Sequence, residues 1–165
     1  MTAQRTVSSP LGPLTLTARD GALVSLHFGA GDVAASADAP VLLDAERQLA
    51  EYFAHDRVDF DVPIQLEGGN FELAVWQAMR RIPFGRTRRY GELAAEIGGI
   101  ARAVGIACGR NPIAIIVPCH RVVGTNGRLT GYSGGQGVET KAWLLRHELA
   151  TPLNDQLSLF APAPP

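Results

Sequence analysis

The chain has 165 residues, 46% of them apolar, and a formal net charge of −1, enough for one ordinary globular domain or two small ones. No run of 18 apolar residues occurs, which excludes a membrane-spanning helix, and two cysteines are too few for a disulfide framework. The net charge conceals an asymmetry: residues 1–79 hold four Lys/Arg against eleven Asp/Glu, and residues 80–165 hold eleven against five, a split that suits a polyanionic partner.

The polar opening Met1 to Pro10 has no apolar h-region, so no secretory signal is expected, and the thiols Cys108 and Cys119 point to a reducing, cytoplasmic setting. Leu14 to Ala18 and Ala22 to Phe28 alternate as half-buried strands around Asp20-Gly21, a strong hairpin turn signal. Pro40 to Ala54 reads as a helix with Leu42, Leu49 and Phe53 inward, and Val58 to Ile64 as a further strand limited by Pro63. Gly68-Gly69-Asn70 reads as a linker, which gives a first domain over 1–66 and a second over 71–150. A tail over 151–165 holds four prolines and a short apolar run, Leu157-Ser158-Leu159-Phe160, that could dock. The spacing of Phe71, Val75, Ala78, Met79 and Ile82 predicts an amphipathic helix over 71–81. After Arg86-Thr87-Arg88-Arg89-Tyr90, a short helix Gly91 to Ile97, the turn Gly98-Gly99 and a second helix Ala101 to Gly109 form a helix-turn-helix pattern. On the second helix, Gly105 and Gly109 share a face with Arg102 and Ile106. Helical glycine costs roughly 1 kcal/mol relative to alanine, so another backbone must come close there: DNA, or a neighbouring helix.

Ile115-Ile116-Val117 reads as a short buried strand stopped by Pro118, and at that stop stand Cys119, His120 and Arg121. In the last helix, Lys141 to Leu149, Glu148 follows Leu144 and Leu145 by four and three residues and so shares their inward face. An inward carboxylate needs a partner, and His120 is the obvious one. A thiol, a base and an orienting carboxylate are the parts of an activated nucleophile, with a water relaying the proton between the neighbours Cys119 and His120. The set Cys119, His120, Glu148 would serve a thiol hydrolase equally well. The arginine-rich helix-turn-helix just upstream tilts the choice toward a nucleic-acid substrate. There is no Cys-x-x-Cys and no zinc-type spacing, so no metal is expected, and the glycine-rich loop Gly131–Gly137 lacks a phosphate-binding Gly-Lys-Ser/Thr.

Ile115 to Val123 resembles the signature of the O6-alkylguanine-DNA alkyltransferases. Val75-Trp76, Ile82-Pro83-Phe84-Gly85, Tyr90-Gly91-Glu92-Leu93-Ala94, Ala101-Arg102-Ala103-Val104-Gly105, Asn111-Pro112, Gly131-Tyr132-Ser133-Gly134-Gly135 and Trp143-Leu144-Leu145 extend the likeness. Ser9-Pro10-Leu11-Gly12-Pro13-Leu14 resembles the stand-alone bacterial members. The resemblance implies an α/β chain of the α+β kind. A small antiparallel sheet with a helix, ribonuclease-H-like, comes first, and a mostly helical domain with the helix-turn-helix follows.

It also implies single-turnover transfer of an alkyl group from guanine O6, with thymine O4 as a second candidate donor, to Cys119 without a cofactor. The target base leaves the duplex first. The protein is then expected as a monomer on double-stranded DNA, with cooperative binding possible. By the same resemblance, Tyr90 donates to the leaving base, Ser133 stabilises O6, and Asn111 braces the turn carrying Cys119. Main-chain carbonyls at Cys119 and Val122, with Tyr132 beside them, complete the base pocket. Arg102 fills the gap in the base stack, while Ala101, Ala103, Gly105, Arg88 and Arg89 contact DNA. Arg121 reads as structural or phosphate-facing, and Cys108 as packing. Two features depart from the family pattern: a short turn at Gly98-Gly99-Ile100, and Arg89 where Ser or Thr usually caps the helix. The rival readings are a lesion-binding protein without transfer, which would lack the cysteine, a thiol hydrolase, and a simple helix-turn-helix regulator.

Overall fold

The computed structural model describes residues 2–31 and 37–150. The tail 151–165, with its docking run at Leu157-Ser158-Leu159-Phe160, lies outside them. The chain forms two compact units. One comprises the chain up to Leu66 together with Pro112–Ala114; the other comprises Glu67–Asn111 and the chain from Ile115 onward.

The first unit is a three-stranded antiparallel sheet, β1 (Thr2–Val7), β2 (Leu14–Arg19) and β3 (Ala22–Phe28), in that order, with helix α1 (Pro40–Phe53) against it. Asp20 and Gly21 both take positive φ, 51° and 81°, as the tight hairpin turn between β2 and β3 requires. β1 escapes sequence reading because Thr2-Ala3-Gln4-Arg5-Thr6-Val7 has no apolar alternation; only Val7 is buried. Leu14 and Leu16 of β2, Leu23 and Leu26 of β3, and Leu42, Ala45, Leu49 and Tyr52 of α1 make the core. Tyr52 takes the inward place expected for Phe53, packing edge-on to it and against Phe60.

The expected strand Val58 to Ile64 is a single parallel bridge, Leu23 to Ile64. Leu23 N–H donates to the Pro63 carbonyl (2.8 Å) and Gln65 N–H to the Leu23 carbonyl (2.9 Å). The next rung back would need an N–H on Pro63, which has none. The same device recurs along β3. Leu26 bridges Ile113 in parallel, with Leu26 N–H on the Pro112 carbonyl (2.9 Å) and Ala114 N–H on the Leu26 carbonyl (3.1 Å), and again a proline precedes the bridging isoleucine.

The second unit holds α2 (Asn70–Arg80), the two-residue strand β4 (Arg88–Arg89), α3 (Tyr90–Ile97), α4 (Ala101–Gly109), the two-residue strand β5 (Val122–Val123) and α5 (Val138–Ala150). α2 buries Val75, Trp76, Ala78 and Met79, and the Trp76 indole N–H donates to the Ala107 carbonyl (2.9 Å), fixing α2 to α4. Cys108 is buried on α4 with its sulfur 3.5 Å from that of Met79. The shortened turn is made by its two glycines for different reasons. Gly98 ends α3 in the left-handed region at φ 81°, the usual task of glycine at a helix end. At Gly99 a Cβ would stand 2.8 Å from the Phe71 ring.

The expected strand Ile115–Val117 is instead a turn. Ile115 is buried with φ at +71°, a conformation that β-branched side chains adopt only under constraint. The carbonyl of Val117 accepts from the Asn111 side-chain amide (2.7 Å) and from the Cys119 N–H (2.9 Å), so no strand partner reaches it. Pro118, at φ −84° and ψ 69°, closes that second bond as an inverse γ-turn. The strand lies after the cysteine: β5 pairs in parallel with β4, Arg88 opposite Val122 and Arg89 opposite Val123.

Candidate active site and nucleic-acid face

Cys119, His120 and Arg121 form one turn of 3-10 helix, delivered by the Pro118 turn and continued by β5. All three are buried. α5 runs beside this turn and presents Lys141, Leu144, Leu145 and Glu148 inward. Their spacing of three, four and seven residues is one helix face.

Glu148 is the hub. Arg121 grips its carboxylate with Nε (2.9 Å) and Nη2 (3.0 Å), while Arg121 Nη1 donates to the Ile82 carbonyl (2.8 Å). The guanidinium also stands 5.6 Å from the centre of the Phe84 ring. Arg121 is thus the structural residue of the two readings; none of its described contacts faces solvent phosphate. His120 Nε2 lies 2.7 Å from the second carboxylate oxygen. Burial works against ionisation of Glu148, but His120 and Arg121 more than offset it and hold the carboxyl well below its usual range. An ionised carboxylate only accepts, so His120 Nε2 carries the proton in this bond. Burial pulls His120 below its ordinary value, against the raising effect of Glu148. The Arg121 charge already matches that of Glu148, so a protonated His120 would leave a buried net positive charge. His120 is therefore neutral with Nδ1 as a bare acceptor, and Nδ1 is buried without a hydrogen-bond partner among the described residues.

Burial pushes the Cys119 thiol up, with Asn111, the Lys141 charge and Tyr132 pulling the other way. The resting form is a protonated thiol that needs a base. Both tyrosine hydroxyls are pushed up chiefly by burial, Tyr90 to about 12, and both stay protonated donors at neutral pH. Tyr90 O–H donates to the Thr130 carbonyl (3.2 Å), and Lys141 Nζ donates to the Tyr90 hydroxyl oxygen (3.1 Å) and to Thr130 O (3.0 Å). Burial lowers Lys141 to about 8. Lys141 escaped sequence reading although it lies on the same helical face as Glu148; that spacing was the available signal. Ser133 is exposed and donates to the Gly109 carbonyl (3.2 Å). Val122 is fully buried in β5.

The arginines around the helix-turn-helix, Arg88, Arg89 and Arg102 expected on DNA among them, divide into two groups. Arg88 and Arg81 both pair with Glu96, Arg89 with Glu92 (3.2 Å), and Arg110 with Glu72 (3.4 Å). Arg89 carries no capping side chain, and its backbone N–H is satisfied by Glu92 reaching back (2.9 Å). Arg102 is exposed on α4 and has no ion pair among the described residues. Ala101 is exposed beside it, and Ala103 and Gly105 are half-buried. A Cβ on Gly105 would meet only the Tyr90 ring, at 3.9 Å, and one on Gly109 would meet nothing within 4 Å. No neighbouring helix crowds this face, which removes the packing explanation for its glycines. An open cleft of about 500 Å³ is lined by Arg89, Tyr90, Glu92, Ala101, Gly124 and Thr125 among others; Tyr90 lines it and Cys119 does not.

A buried thiol next to a carboxylate-oriented histidine thus shares one unit with a helix-turn-helix. The chain belongs to the 6-O-methylguanine DNA methyltransferase family. Residues 3–66 match its ribonuclease-like domain and residues 70–150 its DNA-binding domain. The methylated-DNA–protein-cysteine methyltransferase of Mycolicibacterium paratuberculosis is 46% identical over 155 residues, 90% of this chain and 93% of that protein. Its namesake in Methanosarcina acetivorans is 44% identical over 148 residues, 85% and 94% of the two chains. The crystal structure of Mycobacterium tuberculosis O6-methylguanine methyltransferase is 44% identical with a TM-score of 0.82, covering 97% of this chain and 99% of that one. That of Mycobacterium tuberculosis OGT in complex with DNA is 45% identical with a TM-score of 0.82, covering 96% and 99%. The α+β architecture expected from the sequence, sheet unit first and helical unit second, is the one observed.

Proposed function

We propose that this chain repairs DNA directly, moving the alkyl group of O6-alkylguanine in duplex DNA to Cys119 in a single irreversible turnover. The observation that carries the reading is the buried Cys119 thiol beside a neutral His120 whose Nε2 is tied to Glu148. With Nε2 fixed as donor, Nδ1 is the base. The thiol proton passes to it through one bridging water, and burial of the site keeps the resulting thiolate poorly solvated and nucleophilic. Sulfur attacks the alkyl carbon, the S–C bond forms as the C–O6 bond breaks, and the electron pair goes to the base. Tyr90 O–H supplies the proton that neutralises the leaving guanine. Tyr90 turns its O–H from the Thr130 carbonyl to the base, and Lys141, donating to the Tyr90 oxygen, stabilises the phenolate left behind. The lesion is itself the alkyl donor, and no cofactor or metal is called for.

Ser133 and Tyr132, with the main chain at Cys119 and Val122, form the base pocket, and Asn111 braces the Cys119 turn through Val117. α4 lies in the minor groove with Arg102 replacing the flipped base in the stack, and Ala101, Ala103 and Gly105 allow its close approach. Arg88 and Arg89 contact phosphates once released from Glu96 and Glu92. Residues 71–150 carry DNA binding and the alkyl acceptor, and residues 1–66 are the scaffold. Two free thiols favour a reducing, cytoplasmic setting; no helix among the described residues is long and apolar enough to cross a membrane.

The test is intact mass after incubation with DNA carrying O6-methylguanine. A gain of one methyl, absent in Cys119→Ser, is expected. No gain with the lesion still bound would instead make this a lesion-binding protein, and turnover of an ester or amide without modification would make it a hydrolase. Arg102→Ala should slow repair in duplex DNA more than reaction with free O6-benzylguanine; equal losses would remove Arg102 from the base stack.

A further inference from the structure

The second helix of the helix-turn-helix carries a feature that base extrusion and alkyl transfer leave unused. Ile106 is 51% exposed. It lies one turn beyond Arg102, so the two side chains share a face, flanked by Gly105 and Gly109, where a Cβ would meet at most an ordinary contact. α4 holds no acidic residue, so this face complements a polyanion. Its apolar member is branched, stiff at χ1, and clear of any crowding element. The surrounding cations are paired at rest, Glu96 holding Arg81 and Arg88, Glu92 holding Arg89 and Glu72 holding Arg110, so a phosphate contact from Arg88 or Arg89 comes only at the cost of an opened pair. Opening those pairs offsets part of the gain from phosphate charge, which leaves room for an apolar contribution to affinity.

We propose that Ile106 is a second DNA-contact residue, packing its side chain against the deoxyribose walls of the minor groove and supplying a salt-independent share of the affinity beside Arg102. The inference rests on the reading of α4 as the DNA face. Apolar side chains set into a minor groove hold it open and displace ordered water without meeting a phosphate. The contribution therefore separates from that of a cation by its salt dependence.

The experiment is equilibrium binding of the full chain to an unmodified duplex between 50 and 200 mM salt. For Ile106→Ala, affinity is expected to fall about five- to tenfold at every salt concentration with the slope of log K against log salt unchanged. Ile106→Leu should recover most of the loss, and Arg102→Ala should weaken binding as well. Ile106 is half in solvent, so its variants should keep the thermal midpoint of the parent, and circular dichroism checks this. Affinity within twofold of the parent for Ile106→Ala, while Arg102→Ala weakens binding, would overturn the Ile106 contact and leave α4 as the DNA face. Full affinity in both variants would overturn the placement of α4 on DNA itself. A flattened slope for Ile106→Ala would overturn the apolar mechanism.

Discussion

Glu148 answers two residues with one carboxylate, orienting His120 and neutralising Arg121. Glu148→Gln would free Nε2 from its anionic acceptor and leave Arg121 as a buried unpaired cation, at a cost of about 3 kcal/mol or more. Urea denaturation should show that loss, and methyl transfer should slow in the same variant. Both His120 and Glu148 are held below their ordinary values, so the unfolded chain binds more protons than the native one in acid. Their contribution to stability is complete above about pH 6.5. It falls as His120 and then Glu148 titrate, which denaturation midpoints between pH 4 and 8 would register. The acid limb of the transfer rate should likewise lie below pH 6.5. Lys141 has the opposite balance of function and stability. Its lowering to about 8 means that the native state pays for a charged ammonium at neutral pH. Lys141→Met is expected to raise the thermal midpoint at pH 7, about 2–4 °C for each 1 kcal/mol recovered, while slowing alkyl transfer through the loss of its bond to Tyr90. The sequence made Glu148 legible because a carboxylate on an apolar helix face demands a partner. It hid Lys141, since a lysine at a helix start is ordinarily solvated.

Among the elements, the turn of the helix-turn-helix depends on two glycines with unlike tasks. Gly99→Ala would press a methyl into the Phe71 ring, an overpacking cost of about 1–3 kcal/mol. Because that strain is relieved by tilting α4, duplex binding should fall in the same variant, read together by thermal melt and DNA titration. The helices were legible from apolar spacing and glycine stops, and the β2–β3 hairpin from Asp20-Gly21. The short strands were not. β1 has no apolar alternation to show, and Val58 to Ile64 shrinks to one bridge because Pro63 offers no N–H. Ile115-Ile116-Val117 has every local mark of a strand, yet Asn111 and the Pro118 γ-turn consume the Val117 carbonyl that a ladder would need. Tertiary hydrogen bonds, invisible to spacing, decide that segment.

At the level of the whole molecule, counting charge by halves predicted a basic second half. The fold answers much of it locally, pairing four arginines with Glu72, Glu92 and Glu96. The count of the second half already includes Glu92 and Glu96, so these pairs leave its net charge basic and set only which arginines must first be released to reach a phosphate. The bridge between Leu26 and Ile113 also bears on how the chain is made. About fifty residues separate Leu66 from Ala114, so during synthesis, at roughly 5–20 residues per second, the first unit waits several seconds with part of the β3 edge open. An open sheet edge is a template for pairing with another chain. Pro63 and Ile64 cover Leu23 early, but Leu26 stays uncovered until Pro112–Ala114 emerges. A fragment ending at residue 66 should self-associate in sedimentation experiments, and one extended through residue 114 should not. The nascent chain thus carries this open edge until shortly before Cys119 is synthesised.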